Sequence, residues 1–581
     1  MSTYRSPSRA STDVVGGRRP STYGVSLKSM SKTPKQPQLY SKIQYQNLAS
    51  YLLKAPAQSL GASISVQPDQ RQGSSSFAHV VVHSFPGTGV PQRYDFNLKD
   101  GLTRFIDHPE PDGVVNEVVL VRGSLSPAWL DALGDKYKID PEFFRRHLRY
   151  LAGRDYSDLP SLPSSDTDIL TLTLPSLYTR SQPLAQNQIK ADREKDANIV
   201  TKNQNVVAGR AASGETIIRR FATLGEFLFS VEHEISIFTR TRKRNGSQIA
   251  IVLLDNGLEM NRKNGPPCFS THDTTHPITG VLPLPVIVPR PAGMDIGTNH
   301  PDAPCDSEPL SSEAIGHVAS LVPFYIGMTT HGLPTSSDVF NFIPEIFRLV
   351  AAAECQFLNR VYGIVQDQDV NTIEAEAMDL AINTLRYIKG LLEDHKQRLK
   401  HNVALLKLRR SNEPSTNSLL TVPGSSTPTS RGPSNDDLSQ ILVDFKELLN
   451  RTESLTTLCT ETTGLILNGA MLRESQKAIH RADDQRRLTV LAYLFLPLSL
   501  IASLFGMNVK ELDPDSSQSI WLPFVVLAPV GVISYLLFSP KRIQRALRYC
   551  GSIFVSLRTH HHTQGATIPL NDSRVNGAGS A

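Results

Sequence analysis

The chain has 581 residues, a formal net charge of +5 and 40% hydrophobic residues. At about 100–200 residues per domain there is room for roughly three or four folding units. Pro at 39 and Gly at 36 exclude a collagen-like or wholly low-complexity chain, and five Cys exclude a disulfide scaffold.

The charge sits at the N-terminus. Arg5, Arg9, Arg18, Arg19, Lys28, Lys32 and Lys35 face the single acid Asp13, so residues 1–40 carry +6 and the remainder is slightly acidic. This stretch is rich in Ser, Thr and Pro, has no periodic apolar face and lacks the apolar core of a signal peptide, so it is expected to be a disordered basic tail. No basic-aromatic pattern points to nucleic acid. Residues 41–345 are expected to form a cytoplasmic α+β domain. Strands are predicted at Phe77–Val82, Val114–Val121, Ile169–Leu174, Ile249–Leu254 and Val281–Val288, each short and rich in Val, Ile or Leu. Ser126 before Pro127 and Asp140 before Pro141 predict helices at Pro127–Leu133 and Asp140–Tyr150. Residues 182–215 and 256–312, poor in long apolar runs, are expected to contain long loops.

A helical region is predicted from near Asp338, with 346–410 as a helical arm. Met378, Ile382, Leu385, Ile388 and Leu392 recur at helical steps. Residues 411–433 contain Pro414, Pro423, Pro428 and Pro433 and predict a flexible linker. Ser434 with Asp437 resembles a capping box, and Leu438, Ile441, Leu442, Phe445, Leu448 and Leu449 follow on one face. A stalk helix over 434–487 would be about 80 Å long.

Two uncharged runs follow, Leu488–Phe505 (continuing through Val509) and Ile520–Phe538. A bilayer core of about 30 Å needs roughly 17–25 such residues in a helix, and lipid leaves no other way to satisfy the backbone. They predict a transmembrane hairpin, with helix 1 over 488–509, an outer loop over 510–519 and helix 2 over 520–538. Arg481, Arg486 and Arg487 precede the first run, and Lys541, Arg542, Arg545 and Arg548 follow the second. The positive-inside rule then places both termini in the cytoplasm, with 539–581 as a second basic tail. Which membrane is occupied is not written in the sequence; the plasma membrane is the favoured expectation. One hairpin cannot enclose an ion path, so a pore would need several copies.

Gly506-Met507-Asn508 closes the first run. With the stretch Phe495–Asn508, the preceding long helix and the basic cluster after Pro540, the C-terminal part resembles the CorA-type magnesium transporter family. Val118–Gly123, Leu130–Leu148 and the linker are similar to its fungal members. The resemblance implies a CorA-like funnel: a homopentamer in the lipid bilayer, passing hydrated divalent cations, foremost Mg2+, through a pore lined by the first span and driven by the membrane potential. Gly506, Met507 and Asn508 are carried over as the selectivity filter. Ser499 and Leu496 match pore positions, and Leu488 is a candidate constriction. Glu511, Asp513 and Asp515 in the outer loop would attract cations. Phe505 stands where Tyr usually precedes the signature, and Lys510 sits where the loop is often acidic. The resemblance implies no enzymatic activity and no cofactor beyond Mg2+ as transported ion and possible regulator.

Blander readings stand beside these. Asn508 also suits a helix C-terminus, and Ser499 a back-bonding serine. The chain could be a membrane-anchored signalling or scaffold protein that keeps the fold without conducting, or a transporter of Zn2+, Co2+ or Ni2+. His272 and His276 around Asp273, and the tract His560–His562, are weak metal-binding candidates. Cys268, Cys305, Cys355, Cys459 and Cys550 form no C-x-x-C pair, and no phosphate-binding glycine motif argues for a nucleotide-driven pump.

Overall fold

The computed structural model describes residues 22–53, 77–257, 281–288, 319–326, 343–412 and 434–508, with short gaps inside these ranges, and a few residues within 525–532. The chain divides into two compact units, Met1–Ile466 and Leu467–Ala581.

In chain order the first unit contains α1 (Thr22–Met30), a 3-10 turn (Ile43–Tyr45), α2 (Gln46–Leu52), β1 (Ala78–Pro86), β2 (Gln92–Asn97), α3 (Gly101–Asp107), β3 (Val115–Arg122), α4 (Pro127–Tyr137) and α5 (Pro141–His147). There follow β4 (Ile169–Arg180), α6 (Gln186–Arg210), β5 (Arg220–Thr223), β6 (Leu228–Thr241), β7 (Gln248–Leu254), β8 (Val281–Pro283), α7 (Val322–Tyr325), α8 (Pro344–Gln366) and α9 (Ala375–Asn412). The last long helix, α10, is Ser434–Asn508 and continues past the unit boundary.

Seven strands lie side by side in the order β2-β1-β3-β7-β6-β4-β8, and β5 pairs with β6 off this path. Only β3 and β7 pair in parallel (Glu117 opposite Ile249 through Arg122 opposite Leu254); the other pairs are antiparallel. The central strands are apolar on both faces because both faces are covered. Ile249, Ile251 and Leu253 pack in one core with Leu27, Phe105, Trp129 and Phe144 from the helices before β4. Ala250, Val252 and Leu254 pack in a second core with Phe347, Phe357, Leu385, Leu392 and Phe445 from α8, α9 and α10. The result is an α+β domain with long helices, its mixed sheet lying between two helical layers.

Of the two expected N-caps, Asp140 caps through its side chain and Ser126 does not. The Asp140 carboxylate accepts the Glu142 N–H at 2.9 Å, and α4 ends on Lys138 in the left-handed region at φ 50°. The predicted strands all form, with shifted ends. β8 stops at Pro283, short of Val288. β4 continues past Pro175 to Arg180; its second neighbour β8 pairs only with Tyr178–Arg180, so the missing N–H of Pro175 interrupts no ladder on that side.

Two expectations are corrected. Within 182–215 the chain is not a long loop: Gln186–Arg210 is helical. No Pro or Gly interrupts 184–208, and the buried face is a narrow, partly polar seam of Ile189, Val200, Asn203 and Val207. Polar contacts replace the missing apolar stripe: Arg193 donates to the Thr223 and Leu224 carbonyls and to Thr384, and Tyr387 donates to Asp196. Within 1–40, Thr22–Met30 is a helix of the fold. Leu27 is buried, the Tyr23 hydroxyl donates to the Ile139 carbonyl at 3.1 Å, and the Tyr23 ring fills the space a side chain at Gly134 would need. Of the predicted linker 411–433, residues 411 and 412 are the end of α9, and 413–433 lie outside the described residues.

Candidate functional site

The candidate site lies at the C-terminal end of α10. In the first unit the helix is amphipathic: Ile441, Leu442, Phe445, Leu448, Leu455, Cys459 and Ile466 are buried at helical spacing. Lys400 on α9 pairs with Glu453 at 2.8 Å.

In the second unit the described side chains of α10 are mostly exposed, and many are large and apolar: Met471, Leu472, Ile479, Leu488, Leu491, Leu496 and Leu500. Such a surface on one chain calls for a covering phase or partner. Among the described residues no helix is long and apolar enough to cross a membrane. The backbone is helical through Asn508, so the predicted stalk and the 488–508 part of the first predicted span belong to one helix.

At about 100° per residue, Leu488, Leu496, Ser499 and Gly506 fall within about 80° of one another on α10, with Met507 just beyond. Asn508 lies about another 100° round from Met507, off this stripe, and is the last described residue of α10. Leu488 and Leu496 are exposed. The Ser499 hydroxyl donates to the Leu496 carbonyl at 3.0 Å, the back-bond foreseen as its alternative role. Pro497, inside the helix, offers no backbone N–H to the preceding turn. Glu511, Asp513, Asp515 and nearly all of 520–538 lie outside the described residues, as do His272, His276 and His560–His562.

Sequence reasoning missed two buried polar clusters in the sheet domain. In the first, His147 Nδ1 lies 2.9 Å from Ser236 Oγ and its Nε2 lies 3.3 Å from Asp255 Oδ1. The order Ser–His–Asp imitates a catalytic chain, but all three side chains are buried and Arg219 clasps the Asp255 carboxylate from the other side. Burial, reinforced by Arg219 and Arg149, pushes the His147 pKa well below its ordinary value. A nucleophile with no route to substrate is a structural group. In the second cluster, His395 of α9 lies between Glu232 of β6 and Glu354 of α8. The only local signal for either was the run Glu232-His233-Glu234 inside an apolar stretch. Among the described residues, no group of three or more His, Cys, Asp or Glu is placed to hold a metal ion.

Residues 359–542 match the family described as CorA-like Mg2+ transporter protein. Over that segment the chain is similar to the CorA-type family. The CorA-type segment begins within α8, includes α9 and α10, and contains Gly506-Met507-Asn508 and both uncharged runs. Among solved structures, the chain is similar to the CorA magnesium transporter from Methanocaldococcus jannaschii at 12% identity, covering 79% of this chain and 97% of that one, with a TM-score of 0.34. It is also similar to the full-length CmaX protein at 12% identity, covering 81% and 99%, with a TM-score of 0.32. No curated protein sequence matches the chain significantly.

Proposed function

We propose that this chain is the subunit of an oligomeric, channel-like divalent-cation transporter, with Mg2+ as its main ion. The observation that carries the reading is the CorA-type match over 359–542, within which Gly506-Met507-Asn508 lies on α10. Leu488–Val509 and Ile520–Phe538 form a transmembrane hairpin, both termini face the cytoplasm, and five copies surround one pore. The plasma membrane is the favoured location.

The chemistry follows from the ion. Mg2+ is small, prefers octahedral oxygen ligands and dehydrates reluctantly, so a filter that stripped its water would need a near-ideal oxygen cage. A ring of neutral Asn508 amides can instead hydrogen-bond the hydrated ion at the pore mouth. Asn508 lies off the Leu488–Ser499 stripe, which suits a mouth better than a wall. Glu511, Asp513 and Asp515 raise the local cation concentration. Rings of Leu488 or Leu496 close the path by dewetting. Two charges moving through 100 mV gain about 4.6 kcal/mol, at about 2.3 per charge, so no nucleotide is required.

The test is Mg2+ uptake into liposomes holding the purified full chain under an inward-negative potential. Cobalt hexammine, which mimics hydrated Mg2+ but cannot shed its ligands, should block it. Asn508→Leu should abolish the flux. Flux unchanged in that variant removes the filter role. No flux from an intact oligomer favours a non-conducting scaffold, and equal flux of Zn2+, Co2+ or Ni2+ denies Mg2+ its priority.

A further inference from the structure

His395 is held between two acids from different layers of the domain. Its Nδ1 lies 2.7 Å from Glu354 Oε1 on α8, and its Nε2 lies 3.0 Å from Glu232 Oε1 on β6. All three residues are less than 5% exposed. The ring stacks on Phe357 of α8 at 4.4 Å between centroids and 10° between planes.

A carboxylate only accepts hydrogen bonds, and a neutral imidazole has one N–H. A neutral ring here would point a lone pair at one of the two carboxylates. The arrangement is complete only with a further proton, which makes His395 an imidazolium that donates from Nδ1 to Glu354 and forms an ion pair, off hydrogen-bond geometry, between Nε2 and Glu232. The two acids sit on opposite edges of the ring, so they cannot close on one metal ion with it.

Arg398 of α9 donates to Glu232 Oε1 at 2.9 Å. Arg220 of β5 lies close enough to act on Glu232 and pairs with Asp394 of α9 at 2.5 Å. Lys396 pairs with Glu393 on α9. Two residues beyond Arg398, Lys400 binds Glu453 of α10, so α9 links the sheet to the part of α10 that lies in the same unit.

We propose that His395 is a proton-operated clasp: its charged ring fastens α9 to α8 and β6, and alkaline conditions release α9 and loosen its hold on the Ile441–Ile466 part of α10. Burial and the nearby Arg398 charge oppose the ring's charge, but Glu354 and Glu232 outweigh them and hold the pKa above the ordinary 6.5. The clasp's contribution is therefore full below 6.5 and is lost as pH rises through the higher folded value. Burial also opposes the Glu232 charge, but Arg398, His395 and Arg220 outweigh it and hold that carboxyl well below the ordinary 4.5. Its contribution is lost only as the solution becomes strongly acidic, so between the two ordinary values the clasp is closed.

The test is hydrogen exchange of the purified full chain followed by mass spectrometry at pH 6 and pH 8.5, corrected for intrinsic exchange. Peptides from α9 and from 441–466 should lose protection at the higher pH. His395→Gln should be equally open at both values. Glu354→Gln keeps the ring and should move the transition to lower pH, so it still tests the idea should the histidine variant fail to fold. Wild-type protection that does not change with pH, or a Glu354→Gln transition at the wild-type pH, overturns the clasp.

Discussion

Arg219 and Asp255 form a two-point ion pair in the interior of the sheet domain. Arg219 Nε lies 2.5 Å from Asp255 Oδ2 and Nη2 lies 2.8 Å from Oδ1, with the side chains 4% and 0% exposed. Asp255 Oδ2 also accepts the Glu234 N–H at 2.7 Å, so the pair holds the end of β7 against β6. Two buried charges are tolerable together and costly apart. Arg219→Met should therefore destabilise by about 3–5 kcal/mol, because it leaves a buried carboxylate without its partner. The double variant Arg219→Met, Asp255→Leu should recover most of that loss. Denaturant unfolding of the solubilised full chain, followed through the sheet-domain transition, checks both.

His79 sets an acid limit on the same sheet. It is fully buried on β1, with Nδ1 2.8 Å from the Arg122 carbonyl and its ring edge-on to Trp129. Burial pushes its pKa down to about 4, against an ordinary 6.5. The unfolded chain thus takes up this proton first, and the neutral ring's contribution is complete above 6.5 and lost as pH falls toward 4. At about 1.4 kcal/mol per pH unit, wild type should lose roughly 3 kcal/mol over that window relative to His79→Asn. Thermal unfolding of both proteins at pH 7, 6, 5 and 4 should show the difference. Parallel acid curves contradict it.

Gly123 turns the chain as it leaves β3. Its φ is +76°, and an added Cβ would lie 2.6 Å from the Gly214 carbonyl carbon. Gly246 has a similar φ of +73° but nothing within 4 Å. Gly246→Ala should cost only the left-handed backbone penalty of about 1–2 kcal/mol. Gly123→Ala adds a backbone collision and should cost clearly more, with a correspondingly larger fall in melting temperature.

Phe445 anchors the first part of α10. It is fully buried and meets Phe347 of α8 edge-on at 6.4 Å. Phe445→Ala should cost about 3–5 kcal/mol through lost burial and the cavity left behind. Val443, two residues earlier and 62% exposed, should tolerate Ala within about 0.5 kcal/mol.

The contrast between β7 and β6 explains what could be read in advance. β7 is a short apolar run beside a turn, and its residues alone announce a strand covered on both faces. β6 is twice as long but carries Glu232, His233 and Glu234 at its centre. Glu232 is neutralised by Arg398, 166 residues away, and Glu234 by Arg149 at 2.9 Å. No local pattern contains those partners. α6 escaped for the same reason, since its seam is fastened by Arg193 and Asp196 to Thr384 and Tyr387, 191 residues on.

By itself the sequence determined the features that rest on neighbours in the chain: the apolar strands, the proline-started helices, the long periodic helix from Ser434, the two uncharged runs and Gly506-Met507-Asn508 closing the first of them. Helical and strand periods, caps and hydrophobic length are local quantities. Only the tertiary structure decided which ionisable residues are buried and with what. The cost of burying a charge is met by a partner that folding brings from anywhere in the chain. That is why His147, Asp255, Glu232 and His395, ordinary in the sequence, prove to be the buried polar joints of the domain.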